Sequence, residues 1–210
     1  MIARGEAIEQ YADLENVLCL LFGYLLGVKP NLASIVFFRI TNARARNSII
    51  EKLMTEVIKK NDYRIYWNSL IKMTGELDGT RNAIVHWQTN WEMRFDEKGL
   101  VKKNVFGLAP RRLGGRPAPS EEWLDERRLK AFVAKVYFVS TSITTFLTIF
   151  NAGRDHRVNE REAWLQIFPH KAVYPPPETH PIFQRPGARE VLLPASEGSP
   201  PLPEAFVGPA

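Results

Sequence analysis

Residues 66–87 read YWNSLIKMTGELDGTRNAIVHW. Within them Tyr66, Leu70, Met73, Leu77, Thr80, Ile84 and Trp87 recur in steps of four and three, the seam of an amphipathic helix. At about 100° per residue the apolar seam takes one side of that helix. Asp78, Arg81, Asn82 and His86 fall on another, with Asp78 between Arg81 and Asn82 in projection. Gly75 and Gly79 share the face of His86. Each costs about 1 kcal/mol relative to alanine in a helix interior. A pair of them four apart predicts close approach by a partner helix or a nucleic-acid strand.

The flanking sequence continues the helical pattern. Residues 6–27 predict a first helix with Ile8, Tyr11, Leu14, Leu18, Leu21, Phe22 and Leu25 inward. Its second half is apolar nearly all round, as in a central bundle helix. Gly27 ends it and Pro30 supports the break. Residues 32–40 are apolar and of undetermined type. Thr41 or Asn42 caps a second helix to about Lys60, with Ala43, Ile50, Leu53 and Val57 inward. The helix that holds residues 66–87 begins near 63. Beyond it Trp91, Met93 and Phe95 alternate, Asp96-Glu97-Lys98-Gly99 follows, and Leu100, Val101, Val105 and Phe106 resume. That predicts a hairpin with a Gly-containing turn.

Residues 121–152 return to helix. Lys135 and several Ser and Thr residues dilute its apolar stretch, which fits a bundle or dimer seam better than a membrane span. The expected fold is therefore all-α: a four- to five-helix up-and-down bundle with a small β-hairpin inserted between the third and last helices. The helical domain is expected over 1–168, with the hairpin and a basic loop at 88–119. Residues 169–210 hold eleven prolines and no periodic apolar pattern, which predicts a Pro-rich extended or disordered tail.

A length of 210 residues accommodates one domain and an appendage. The single cysteine, Cys19, sits in an apolar run and reads as a buried thiol. No disulfide framework is available, so a reducing compartment and a cytoplasmic location are expected. The first residues lack the apolar core of a signal peptide. His86, His156, His170 and His180 are scattered without zinc-like spacing, so neither a metal nor another cofactor is expected. Net charge is +5, and because the last 42 residues carry −1, residues 1–168 carry +6. Lys98, Lys102, Lys103, Arg111, Arg112 and Arg116 fall between Lys98 and Ser120 with no acid among them. A basic loop of this kind beside a phosphate-handling helix would steer RNA by counterion release. Arg39, Arg44 and Arg46 form a smaller basic group.

Arg81 and His86 place a permanent cation and a titratable imidazole five positions apart. Phosphodiester cleavage needs such a pair, one group to neutralise a phosphate and another to move a proton near neutral pH. The run Arg81-Asn82-Ala83-Ile84-Val85-His86 resembles the R-N-x-x-x-H signature of HEPN domains, in which Asn, Asp or His commonly follows the arginine. The resemblance covers roughly residues 6–150 in element order, and Arg81, Asn82 and His86 match residue by residue.

The resemblance implies a helical bundle that dimerises so that two motif segments build one composite site. It implies a metal-independent endoribonuclease, possessing no cofactor, that uses the RNA 2′-hydroxyl as nucleophile and leaves a 2′,3′-cyclic phosphate. His86 would take that proton or deliver one to the leaving oxygen, and Arg81 would neutralise the phosphorane. Asn82 would orient the phosphate or the imidazole, with Asp78 in support. An acidic residue of the first helix often lies near the site in this family. Glu15 is the candidate, with an exposed glutamate or a partner for a core arginine as equal alternatives. A toxin or defence effector, with an antitoxin or other regulatory protein as partner, fits the same family. One departure is Gln88, where many toxins paired with a nucleotidyltransferase antitoxin carry a tyrosine. The alternative function is a non-catalytic HEPN-like nucleotide- or RNA-binding or dimerisation scaffold.

Overall fold

The computed structural model describes residues 2–57, 63–110, 119–151 and 158–193. Its helices are α1 (Ile2–Leu26), α2 (Pro30–Phe37), α3 (Ala43–Val57), α4 (Arg64–His86), α5 (Glu126–Asn151), α6 (Val158–Ile167) and α7 (Ala188–Leu192). Two antiparallel strands, β1 (Gln88–Phe95) and β2 (Val101–Ala109), separate α4 from α5. The fold is thus an all-α bundle of α1, α3, α4 and α5 with an inserted β-hairpin.

In α1 the buried seam runs through Ala7, Tyr11, Leu14 and Leu18. Ile8 was expected inward, yet it is exposed because it stands one position off that seam, and Ala7 fills the place. Gly27, at φ 66°, ends α1 in the left-handed region that favours glycine. The apolar stretch after Pro30 forms α2, whose axis turns 113° from that of α1. The side chain of Asn42 caps α3 by accepting from the Ala45 N–H at 3.1 Å. Ile50 and Met54 are buried in α3, whereas Val57, expected inward, is exposed in its last described turn. In α4 the buried residues include Tyr66, Trp67, Leu70, Met73, Leu77 and Ile84.

The hairpin turn is closed by Asp96, whose Oδ1 accepts from the N–H groups of Lys98 and Leu100, each at 2.9 Å. Its root is fixed by paired backbone hydrogen bonds between Leu108 and Leu124, both 2.9 Å. Gly107 permits that contact, since a Cβ there would lie 2.9 Å from the Leu124 carbonyl oxygen. α5 is long and apolar enough to cross a membrane, and most of it is buried. Phe132, Val136, Val139, Ile143 and Phe146 are inside the bundle, which accounts for its composition.

Residues 169–193 correct the expectation of an extended tail that starts at 169. They fold back onto the bundle, burying Ala172, Ile182, Ala188 and Leu192. Phe168 is the pivot, with ring centroids 5.1 Å from Tyr66 and 5.3 Å from Phe146. His180 sits edge-on to Trp164 at 5.1 Å and to Phe138 at 5.5 Å. The Ala172 N–H donates to Ser69 Oγ at 2.8 Å. Prolines cut this stretch into pieces too short for a period, but Ile182, Ala188 and Leu192 are still buried, on elements that pack beside α5. The remainder of the expected tail, 194–210, lies outside the described residues.

Candidate active site

α1, the α2–α3 connection, the first turn of α3 and the middle of α4 enclose a cleft of about 840 Å³. At its base Asp78 is buried. Tyr11 Oη donates to Asp78 Oδ1, and Asn47 Nδ2 donates to Oδ2 at 3.0 Å. Asp78 was expected on the open face of α4. It is instead covered by α1 and α3, because those helices pack on the flank that the apolar seam leaves unclaimed. Burial pushes the Asp78 carboxyl above its ordinary value, while the hydrogen bonds and the Arg46 charge pull the other way. The Tyr11 phenol is driven far up, first by burial and then by the adjacent carboxylate, so it remains a donor at any working pH.

That pairing fixes the Tyr11 ring, and the ring in turn seats Arg81. The Arg81 guanidinium lies 5.5 Å over the ring centroid, a cation–π distance. Its Nη1 donates to Asn82 Oδ1 at 3.3 Å. Glu15 also reaches the cleft, where it is engaged by Arg46 Nη2. Arg46 is held besides over the Phe37 ring at 4.9 Å. Glu76 pairs with Lys135 at 2.7 Å. The three carboxylates of the cleft wall, Glu15, Glu76 and Asp78, are therefore each engaged. Among the described residues no carboxylate pairs with Arg44, Lys72 or Arg81, all of which line the cleft. The first turn of α3 stands at the rim and adds the positive end of its dipole. Taken together, the cleft has spare positive charge and suits an anion such as a phosphate.

His86 is the last residue of α4 and is exposed. Five positions separate it from Arg81, which is about 140° around the helix and roughly 7.5 Å along it. It is not part of the cleft wall. With Lys72, Gly75, Gly79 and Asn82 it forms an exposed stripe. A Cβ at Gly75 or Gly79 would meet nothing within 4 Å, so that stripe is open along the subunit surface. The adjoining Val85 carbonyl accepts from Arg4 Nη2 at 2.9 Å, which ties the end of α4 to α1. One subunit thus gathers Glu15, Asp78, Arg81 and Asn82 at one cleft and leaves His86 outside it.

Of the basic residues, Lys98 is exposed in the hairpin turn, and Lys102 and Lys103 belong to β2. Arg111, Arg112 and Arg116 lie outside the described residues. Among the described residues no group of three His, Cys, Asp or Glu is placed to hold a metal ion. Tyr11, Asn47 and Lys72 were not legible as site residues. Tyr11 reads in sequence as one more seam residue of α1, and its role exists only once α1, α3 and α4 meet. Arg44 and Arg46 carried a signal as a basic group without a location. The chain matches no protein-family model, no curated protein and no solved structure.

Proposed function

We propose that this protein is a metal-independent endoribonuclease of the HEPN type, acting as a two-fold homodimer in the cytoplasm. The observation that carries the reading is Arg81, seated on Tyr11 in a cleft whose carboxylates are already engaged. A phosphate entering there meets Arg81, Arg44 and Lys72 without competition from a neighbouring acid. His86 lies on the open glycine-bearing stripe of α4, the surface two copies would share. Pairing those stripes would bring the partner's His86 toward Arg81. The imidazole then takes the proton of the 2′-hydroxyl or supplies one to the leaving oxygen, Arg81 neutralises the phosphorane, and Asn82 steadies the guanidinium. Such an activity suits a toxin or defence effector restrained by an antitoxin or another regulatory protein.

The test is cleavage of single-stranded RNA in EDTA. The expected result is cleavage of RNA, with 2′,3′-cyclic phosphate ends, and none of DNA of the same sequence. His86→Ala and Arg81→Ala should each lower the rate at least about a hundredfold. Arg81→Lys should rescue poorly, because an ammonium lacks the forked donor geometry. Loss of activity in chelator, restored by magnesium or manganese, would reject the mechanism.

The scaffold alternative draws on one observation, that Arg81 and His86 do not converge within a subunit. It predicts no cleavage at all, with Arg81 and His86 variants losing the dimer or melting earlier.

A further inference from the structure

The wall of the cleft is not polar throughout. Phe38 and Ile40, from the α2–α3 connection, line it together with the cations Arg44, Lys72 and Arg81. Leu32, Ile35 and Val36 of α2 are exposed as well, but none of them lines the cleft. Among the exposed large apolar side chains of the described residues Phe38 alone does, at 47% exposure. Its ring meets that of buried Phe37 at a right angle, with centroids 5.2 Å apart. Phe37 packs in turn on Phe22 at 5.8 Å and lies under the Arg46 guanidinium. Phe38 is therefore seated by the core while nearly half of it stays open.

A phosphate alone has no use for an aromatic ring, whereas a nucleotide does, because every base has a flat face to stack. The cleft, about 840 Å³, has the size of a small-molecule site and holds more than one phosphate. It also carries groups suited to the polar edge of a base. The carbonyl oxygens of Asn42 and Asn82 accept from the Ala45 N–H and from Arg81. Both amides keep an amino group to donate, and Thr41 adds a hydroxyl to the same wall. These groups decide against a lipid. Its headgroup would satisfy the cations, but its acyl chain would cover Thr41, Asn42 and Asn82 without bonding them.

We propose that Phe38 is a base-stacking residue of the cleft, holding the base of a single-stranded RNA nucleotide whose phosphate is bound by Arg81. The proposal rests on the ribonuclease reading for its choice of RNA. It adds a contact to the base, which the cations of the cleft do not supply, and so makes an unpaired nucleotide the unit that is recognised.

The test is fluorescence anisotropy with a labelled short RNA oligomer, 2′-O-methylated throughout so that it cannot be cleaved, and with an abasic oligomer of the same length. Phe38→Ala and Phe38→Leu are checked for retained fold by circular dichroism. Phe38→Ala should weaken binding of the base-bearing oligomer roughly five- to a hundredfold, the range of one base–aromatic stack. Phe38→Leu should recover little, because it restores apolar surface without a ring, and Phe38→Tyr should recover most. The abasic oligomer should bind the wild type more weakly and ignore all three substitutions. Unchanged affinity in Phe38→Ala, or an equal loss with the abasic oligomer, overturns the proposal, as does a wild type that binds neither. So does loss of self-association, or of binding to phosphatidylserine vesicles, with affinity for the oligomer intact. Phe38-dependent binding without cleavage of unmodified RNA by the wild type would uphold the stacking residue and reject the catalytic reading.

Discussion

Asp78 sits where stability and the seating of Arg81 depend on the same contacts, and Asp78→Ala separates them from the rest of the bundle. The substitution leaves the Tyr11 hydroxyl, in a residue only 4% exposed, without its acceptor. A buried unsatisfied group costs about 1–3 kcal/mol. The Asn47 amide loses its partner too, but Asn47 is half-buried and water makes good part of that loss. A net destabilisation of about 2–3 kcal/mol follows, after the relief of no longer burying a carboxylate. For a chain of this size that is a fall in Tm of about 5–10 °C. Asp78→Asn keeps an acceptor for Tyr11 and removes the buried charge, so its cost should be below about 1 kcal/mol. Thermal unfolding followed by circular dichroism at pH 7 measures both. If Asp78→Ala melts within a degree or two of the wild type, the Tyr11–Asp78–Asn47 network does not hold α1, α3 and α4 together as described.

Gly75→Leu and Gly79→Leu should leave the subunit folded, because a side chain at either site meets open space, yet should weaken self-association in sedimentation velocity. Retained dimers in both would remove the α4 stripe from the interface. Truncation after Phe168 should lower Tm by more than 10 °C, since it strips Ile182, Ala188 and Leu192 from the bundle, and an unchanged melt would contradict the packing of 169–193. Burial lowers the pKa of His180 to about 4 from 6.5. Above pH 6.5 its imidazole is neutral folded or unfolded. Below that value the unfolded chain takes up a proton that the folded one refuses. Stability should therefore fall as pH drops from 6.5 toward 4, by on the order of 2 kcal/mol. His180→Phe should flatten that part of a urea-midpoint profile against pH, and an unchanged slope would contradict the assignment.

The long helices α1, α3, α4 and α5 and the hairpin were legible because each is governed by a local period, whereas the short α2, α6 and α7 were not read as helices. The four-and-three spacing of Tyr66 to Ile84 marks α4, and the alternation of Trp91, Met93 and Phe95 marks β1. A period gives a residue's angle around its own helix but says nothing about what packs there. Asp78 therefore appeared beside Arg81 on an open flank, when α1 and α3 bury it. The same limit hid Tyr11, whose aromatic ring serves both the core and Arg81. The packing of 169–193 was invisible for a different reason. His180, Ile182 and Leu192 bind one at a time between prolines, and no local pattern records contacts made singly to distant helices. Arg81 and Asn82 reach the cleft together, whereas His86 stands apart from it in the subunit, and sequence spacing alone does not show that separation.

Mixing two inactive variants tests the composite site most directly. Arg81→Ala and His86→Ala proteins, each unable to cut single-stranded RNA in EDTA, would be unfolded together and refolded at equal concentration. Half the dimers should be mixed, each with one intact site formed by Arg81 of one chain and His86 of the other. The account predicts recovery of about a quarter of the wild-type rate. A mixture as inactive as its components, from a wild type that does cleave, would show that Arg81 and His86 do not act across the dimer and would contradict the account.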